Sequence, residues 1–203
     1  MKELDFDVIV VGGGPAGSSA ARIIAENGCT VALIEKEKEI AETVRTSGVT
    51  WISDIKKFGI PEDCYNPIKK FSFCSPKNSV VIQDKVAKAA VLDVRKTYKF
   101  LAKRAENSGS QVFVSTNVSE VLQDSNGNCT GVIAKSGEKQ IQFNGKVIID
   151  ASGFASIVAK ELGYVKQWKK FGVGAEFEVK TEKLEYDNWW LMVGEEYSPA
   201  GYA

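Results

Sequence analysis

The chain has 203 residues, 44% of them hydrophobic, enough to bury the core of one large domain or of one and a half smaller ones. Its 26 basic residues cancel 26 acidic ones, so there is no positive field of the kind that holds nucleic acid through its phosphates, and nucleic acid is excluded as a partner. His is absent, and the cysteines (Cys29, Cys64, Cys74, Cys129) lack CxxC spacing; a triad base, a zinc site and a thioredoxin-type pair are therefore not expected, and no metal is. Chemistry must then come from a borrowed cofactor.

The N-terminus carries acids where a signal peptide carries basic residues, and no apolar run is long enough to span a bilayer; a cytoplasmic chain is expected. Val8, Ile9, Val10 and Val11 form a continuous β-branched run, the pattern of a strand covered on both faces in a parallel sheet. From Pro15 the period becomes helical, with Ala16, Ala20, Ile23 and Ile24 as the apolar stripe and Asn27-Gly28 as the stop. A second apolar run over 30–34 ends at Glu35, completing a βαβ unit of about minimum length.

Arg45-Thr46-Ser47-Gly48 falls in a predicted loop before a short amphipathic stretch over 52–58, and Ile60-Pro61 and Asn66-Pro67 break the chain. Two extended segments around Pro76-Lys77-Asn78 predict a hairpin outside the first unit. Val91, Val94, Tyr98, Leu101 and Ala105 step by three and four, predicting a helix that closes at Asn107-Ser108-Gly109 with its dry face on a sheet. Runs at 111–114, 118–123, 129–134 and 139–143, separated by Asn126-Gly127 and Ser136-Gly137, predict a small antiparallel meander. A further strand over 146–149 stops at Asp150-Ala151-Ser152-Gly153, ahead of a short helix over 156–162. Beyond Gly163, the segments 171–180 and 187–203 predict strands of a second, aromatic-rich sheet.

The opening glycines carry the most chemistry. Gly12-x-Gly14-x-x-Gly17 has the dinucleotide spacing: the first glycine for a tight turn, the second for close approach of a pyrophosphate, the third for helix against strand. Glu35, at the end of the next strand, can accept bonds from an adenosine ribose and disfavours a 2′-phosphate there, so NADP is not expected in this unit. NAD and FAD proteins share the motif, but the meander followed by a return strand departs from repeated βαβ and points to a flavin-type domain.

The stretches "DVIVVGGGPAGSSAARIIAENGCTVALIEK" and "VIIDASGFASIVAKELG" resemble the FAD-dependent geranylgeranyl reductases, within the wider group that shares the p-hydroxybenzoate hydroxylase fold. The resemblance covers essentially the whole chain. It implies an α/β architecture: a Rossmann-like FAD-binding domain with a β-meander crossover over 1–65 and 86–163, and the start of an antiparallel-sheet substrate domain over 66–85 and 164–203. It places Gly12, Gly14, Pro15, Ala16 and Gly17 against the FAD pyrophosphate and Glu35, with Lys36 beside it, at the adenosine ribose. It brings Arg45, Thr46, Ser47 and Gly48 toward the flavin, Arg95 to the phosphates or ribitol, and the Val118 backbone to adenine. Asp150 and Gly153 lie by the cofactor, a plain helix cap being the other role open to Asp150.

The implied activity is reduction of isoprenoid carbon-carbon double bonds, with an isoprenoid or lipid substrate, an external electron donor (NAD(P)H or ferredoxin), and peripheral membrane contact at most. No residue is assigned as a catalytic acid. Two departures matter: Thr46-Ser47 stand where family members often carry cysteine, and Ser152 precedes Gly153 where the aromatic hydroxylases read Asp-Gly. A flavin monooxygenase of the aromatic hydroxylase type is thus the runner-up, and a cofactor-domain fragment or interaction module without activity the third possibility. Trp189, Trp190, Tyr197 and Tyr202 either line an apolar substrate pocket or form sheet core. The family's last FAD contact, a Gly-Asp segment, is expected past residue 203. The chain is accordingly expected to be the front portion of a longer protein and to retain flavin weakly or not at all by itself.

Overall fold

The computed structural model describes residues 1–166, 172, 174, 175, 177, 179, 180, 182 and 184–198. In chain order its elements are β1 (Lys2–Val11), α1 (Pro15–Glu26), β2 (Val31–Ile34), β3 (Val49–Trp51), α2 (Ile52–Phe58), β4 (Tyr65–Ile68), β5 (Lys70–Cys74), β6 (Ser79–Gln83) and β7 (Ala89–Leu92). Then come α3 (Val94–Asn107), β8 (Gln111–Phe113), β9 (Asn117–Gln123), β10 (Cys129–Ser136), β11 (Lys139–Asp150), α4 (Ile157–Glu161) and β12 (Asn188–Met192). They gather into two units, one of Met1–Val44 and Tyr98–Val173, the other of Arg45–Thr97 and Gly174–Ala203.

The first unit is built on a six-stranded sheet in the order β8-β2-β1-β11-β10-β9. The continuous apolar run of β1 reflects its central place: Ile9 and Val10 are fully buried, and β1 pairs in parallel with β2 on one side and β11 on the other. On one face Val8, Val10, Val31 and Leu33 pack with Ala21, Ala25 and Ala105. On the other, Phe6, Ile9, Val11 and Ile34 join Val118, Val132, Phe143 and Val158.

Three expectations are corrected in this unit. The buried stripe of α1 is Gly17, Ser18, Ala21 and Ala25, while Ile23 is half exposed; small residues let the helix approach the sheet more closely than an isoleucine ridge would. The segment 111–114 belongs to no meander: β8 pairs in parallel with β2, the outcome of a strand-helix-strand crossover through α3. The meander's last strand and the return strand are one strand, β11, which pairs antiparallel with β10 and in parallel with β1. The break expected between 143 and 146 is absent: a Cβ on Gly145 would stand 2.8 Å from Ile9 Cδ1, so the glycine marks a close crossing inside a strand.

At the start of this sheet Asp7 accepts from Lys146 Nζ at 2.7 Å and from the Thr30 N–H and Oγ at 2.9 and 2.8 Å. The Lys146 hydrogen bond and then those of Thr30 hold the Asp7 carboxyl well below its ordinary value of 3.8. A depressed carboxyl contributes stability that is present above its unfolded pKa and is lost as the pH falls toward the folded value. The destabilisation of Asp7→Asn, read as the shift in thermal midpoint against wild type, is therefore expected to be visible at neutral pH and to shrink steadily below about pH 4. A shift that stays constant between neutral pH and about pH 2 would contradict this linkage.

The second unit holds two small sheets, β3-β7-β4 and β12-β5-β6. The predicted hairpin is β5 with β6, and the predicted amphipathic stretch is α2. The second sheet is mixed, because β12 joins β5 in parallel. Val91 is not the first turn of a helix: it pairs with both Val49 and Asn66, and α3 starts after Asp93, whose Oδ1 accepts the Lys96 N–H at 3.0 Å. An Asp at the N-cap with its carboxylate on the third helical N–H sets that boundary more firmly than the apolar period does. Cys64 is buried, and burial and then Asp63 push its thiol up, which suits a packing residue. Residues 171, 173, 176 and 178 of the strand expected over 171–180 lie outside the described residues.

Candidate functional site: a glycine loop on a parallel sheet

The candidate site begins where β1 ends. Gly12 adopts φ +108°, and a Cβ there would lie 2.4 Å from the Ala151 carbonyl oxygen. A Cβ on Gly17 would lie 1.9 Å from the Gly12 oxygen. These two glycines are demanded by the chain's own packing. Gly14 differs: no atom stands within 4 Å of where its Cβ would be. Gly14 is the N-cap of α1, which has no side-chain cap and no acid in its first turn. The N–H groups of Ala16 and Gly17 therefore have no intrahelical acceptor, and the helix presents its positive end beside an open glycine, an arrangement that fits a diphosphate. Pro15 and Ala16 are exposed.

Glu35 closes the other side of this loop. Its Oε2 accepts the Gly13 N–H at 2.8 Å and its Oε1 accepts the Glu37 N–H at 3.0 Å. The Glu35 backbone is tied to the chain after β8, donating to Phe113 O at 2.8 Å and accepting from Thr116 N–H at 2.9 Å. The carboxylate thus has a set orientation, with lone pairs left over for hydroxyl donors. Lys36 is exposed and ion-paired to Glu37 at 3.5 Å. Val118 is buried in the core beneath, paired with Ala134 at a register shift of β9 against β10.

Sequence spacing did not single out Gly13, which is buried: a Cβ there would meet Ile40 Cδ1 at 2.4 Å. Ser18 was also missed; its fully buried hydroxyl donates to Gly13 O at 3.0 Å. The run of three glycines was the only available signal for the first, and nothing local marks the second.

The Asp150-Ala151-Ser152-Gly153 turn lies under the same loop. Asp150 Oδ1 accepts from the Ser152 hydroxyl at 2.5 Å and the Ser152 N–H at 3.1 Å, and Oδ2 accepts the Ala159 N–H at 2.9 Å. Asp150 thus caps α4. Burial alone would raise its carboxyl, but the bonds from Ser152, Ala159 and Val158 outweigh burial and hold it below the ordinary value. Gly153 is exposed at φ +65°.

The remaining expected positions lie in the second unit. Arg45, Thr46 and Ser47 are exposed loop residues, whereas Gly48 is buried at φ +75°, with a Cβ there 2.9 Å from both Leu92 O and Val94 Cγ2. The loop is tied down by Leu92 N–H on Gly48 O at 2.9 Å, beside the start of α3 where Arg95 is exposed. This unit also contains a cleft of about 810 Å³. Its walls include Tyr65, Ile68, Leu92, Leu184, Trp189 and Trp190. Trp189 is held edge-on by Phe71 at 6.0 Å and Phe73 at 6.2 Å. Tyr197 is not among the cleft residues, and Tyr202 lies outside the described residues.

The loop, its acid and the sheet order define a dinucleotide-binding flavoprotein domain. The model of the FAD dependent oxidoreductase family matches residues 7–164, and the chain belongs to that family, whose cofactor is FAD. The chain is 35% identical over 212 residues to the digeranylgeranylglycerophospholipid reductase of Methanocaldococcus jannaschii, a match that takes in 100% of this chain and 53% of that protein. A geranylgeranyl bacteriochlorophyll reductase-like protein of Thermoplasma acidophilum superposes with a TM-score of 0.81 at 26% identity, over 98% of this chain and 53% of the other. A flavin-dependent brominase, at TM-score 0.65 and 23% identity over 79% of this chain and 41% of the other, shares the fold. The chain spans about half the length of the curated reductases it matches. Among the described residues no helix is long and apolar enough to cross a membrane.

Proposed function

We propose that this chain is the FAD-holding part of a reductase that saturates carbon-carbon double bonds in isoprenoid lipid chains. What carries this is the likeness to a digeranylgeranylglycerophospholipid reductase along 100% of the chain, through both units and not the cofactor loop alone. Gly12, Gly14, Pro15, Ala16 and Gly17 would receive the pyrophosphate, and Glu35, with Lys36 beside it, the adenosine ribose. The Val118 backbone would serve adenine, and Arg45, Thr46, Ser47, Gly48 and Arg95 the flavin side. Gly153 would lie near the cofactor, while Asp150 would act from its helix cap. Bound FAD, reduced by an external donor such as NAD(P)H or ferredoxin, would supply an electron pair as hydride to one carbon of the double bond, a proton completing the other. The protein's task is to hold an apolar chain and exclude water. The aromatic cleft suits the isoprenoid part of such a substrate, and access to it would be by peripheral membrane contact.

Incubation with a digeranylgeranyl ether lipid and a chemical reductant, first anaerobically and then in air, followed by mass spectrometry, tests this. Gain of two hydrogens per double bond is expected. Oxygen-dependent gain of an oxygen atom would instead support a hydroxylase, and no turnover with FAD bound would leave a cofactor module without activity. Trp190→Ala, at an exposed cleft wall, is expected to raise KM for the lipid about tenfold through loss of aromatic contact, with FAD affinity unchanged. An unaltered KM would remove the cleft from the account.

A further inference from the structure

We propose that the Ser152 hydroxyl is a positioning group for the pyrophosphate loop, acting through Ala151 without touching the cofactor; this rests on the FAD reading of that loop. Ser152 Oγ donates to Asp150 Oδ1 at 2.5 Å and accepts the Ile157 N–H at 2.8 Å. One hydroxyl therefore joins the carboxylate at the end of β11 to the first N–H of α4. The residue at the helix's own N-cap, Ser156, makes no side-chain cap and enters with φ +45°, a left-handed conformation that costs energy in a non-glycine residue. The capping is done from Ser152 and Asp150, on the other side of Gly153.

Ala151 sits between those two anchors, and the loop rests on it. Its N–H donates to Val11 O at 2.8 Å. The ideal Cβ positions of Gly12 and Gly17 fall 2.4 Å from its carbonyl oxygen and 3.2 Å from its Cβ. Ala151 thus occupies the space that side chains at Gly12 and Gly17 would need, so a shift of the turn is passed on to the glycine backbone, because close-packed interiors transmit strain. Replacing the hydroxyl frees Ile157 N–H, leaves Asp150 Oδ1 with the Ser152 N–H alone, and loosens the floor under Gly12. A serine that merely caps α4 would affect α4 alone.

Hydrogen exchange on the full chain without FAD separates the two roles. In Ser152→Ala, amides in 12–18 are expected to exchange about tenfold faster together with those of α4, β1 staying protected, and Ser152→Thr is expected to restore both. Lys160→Gly, which loosens α4 from its exposed side and leaves Ser152 in place, is expected to speed exchange in α4 only. Faster exchange confined to 153–163 in Ser152→Ala overturns the proposal. In FAD titrations Ser152→Ala is expected to weaken binding about fivefold and Ser152→Thr to stay within about twofold of wild type. Equal affinity for Ser152→Ala and wild type also overturns it. Should wild type bind no FAD, the cofactor reading falls, while the exchange result still decides the role of Ser152.

Discussion

Gly17→Ala is expected to cost the chain about 3 kcal/mol or more, a large fraction of the 5–15 kcal/mol that holds a typical domain folded. Alanine is the better helix former by about 1 kcal/mol, so propensity alone predicts a gain. Packing reverses the sign: the new methyl would stand 1.9 Å from the Gly12 oxygen, a backbone atom of the β1 end that no rotamer change can move aside. Gly12→Ala is expected to be at least as harmful, since the clash with Ala151 is joined by φ +108°. Gly14→Ala, with open space at its Cβ, is expected to lose no more than about 1 kcal/mol, the usual difference between these residues at an N-cap. Urea midpoints followed by circular dichroism read all three. A Gly17→Ala midpoint equal to wild type would mean that α1 does not approach β1 as described.

Phe143→Ala is expected to destabilise by about 3–5 kcal/mol, the range for emptying a buried aromatic site. Phe143 is fully buried in β11, between Leu4 of β1 and Val132 of β10. Its ring meets Phe113 edge-on at 4.9 Å and lies near-parallel to Phe6 at 6.3 Å. One residue thus joins the parallel half of the sheet to the meander. The cavity lies among strands that pair on both sides and cannot close inward cheaply. A loss below about 1.5 kcal/mol would show that the two halves are stabilised independently.

The nucleotide-binding half of this fold was legible because two local signals coincide. A β-branched run reports a strand buried on both faces, and glycine spacing reports the turn and helix start after that strand. Local signals failed where a partner far along the chain decides. Asn144-Gly145 has the composition of a turn, but Ile9 needs the space and β11 runs on. Val91 keeps helical period with Val94 and Tyr98, but strands pair with it on both sides and Asp93 starts the helix later. The glycine motif was found as a motif. Its division into two packing glycines and one facing open space depends on Ala151, and spacing carries no trace of that. Ser152 was noticed only as a departure from Asp-Gly, since its place between Asp150 and Ile157 exists only once the turn has folded. In the second unit the Arg45–Gly48 loop was placed correctly as loop, while the reason Gly48 must be glycine, Leu92 and Val94 behind it, was not visible.

Whether FAD lies against the backbone of Gly14 at the start of α1 is decided by titrating FAD into wild type and Gly14→Val and following flavin fluorescence to high micromolar concentrations. The side chain would fill space that no protein atom occupies. Gly14→Val is expected to bind FAD at least about tenfold more weakly than wild type while the thermal midpoint falls only by the small cost of a poorer N-cap. Equal FAD affinity in the two proteins would contradict that placement.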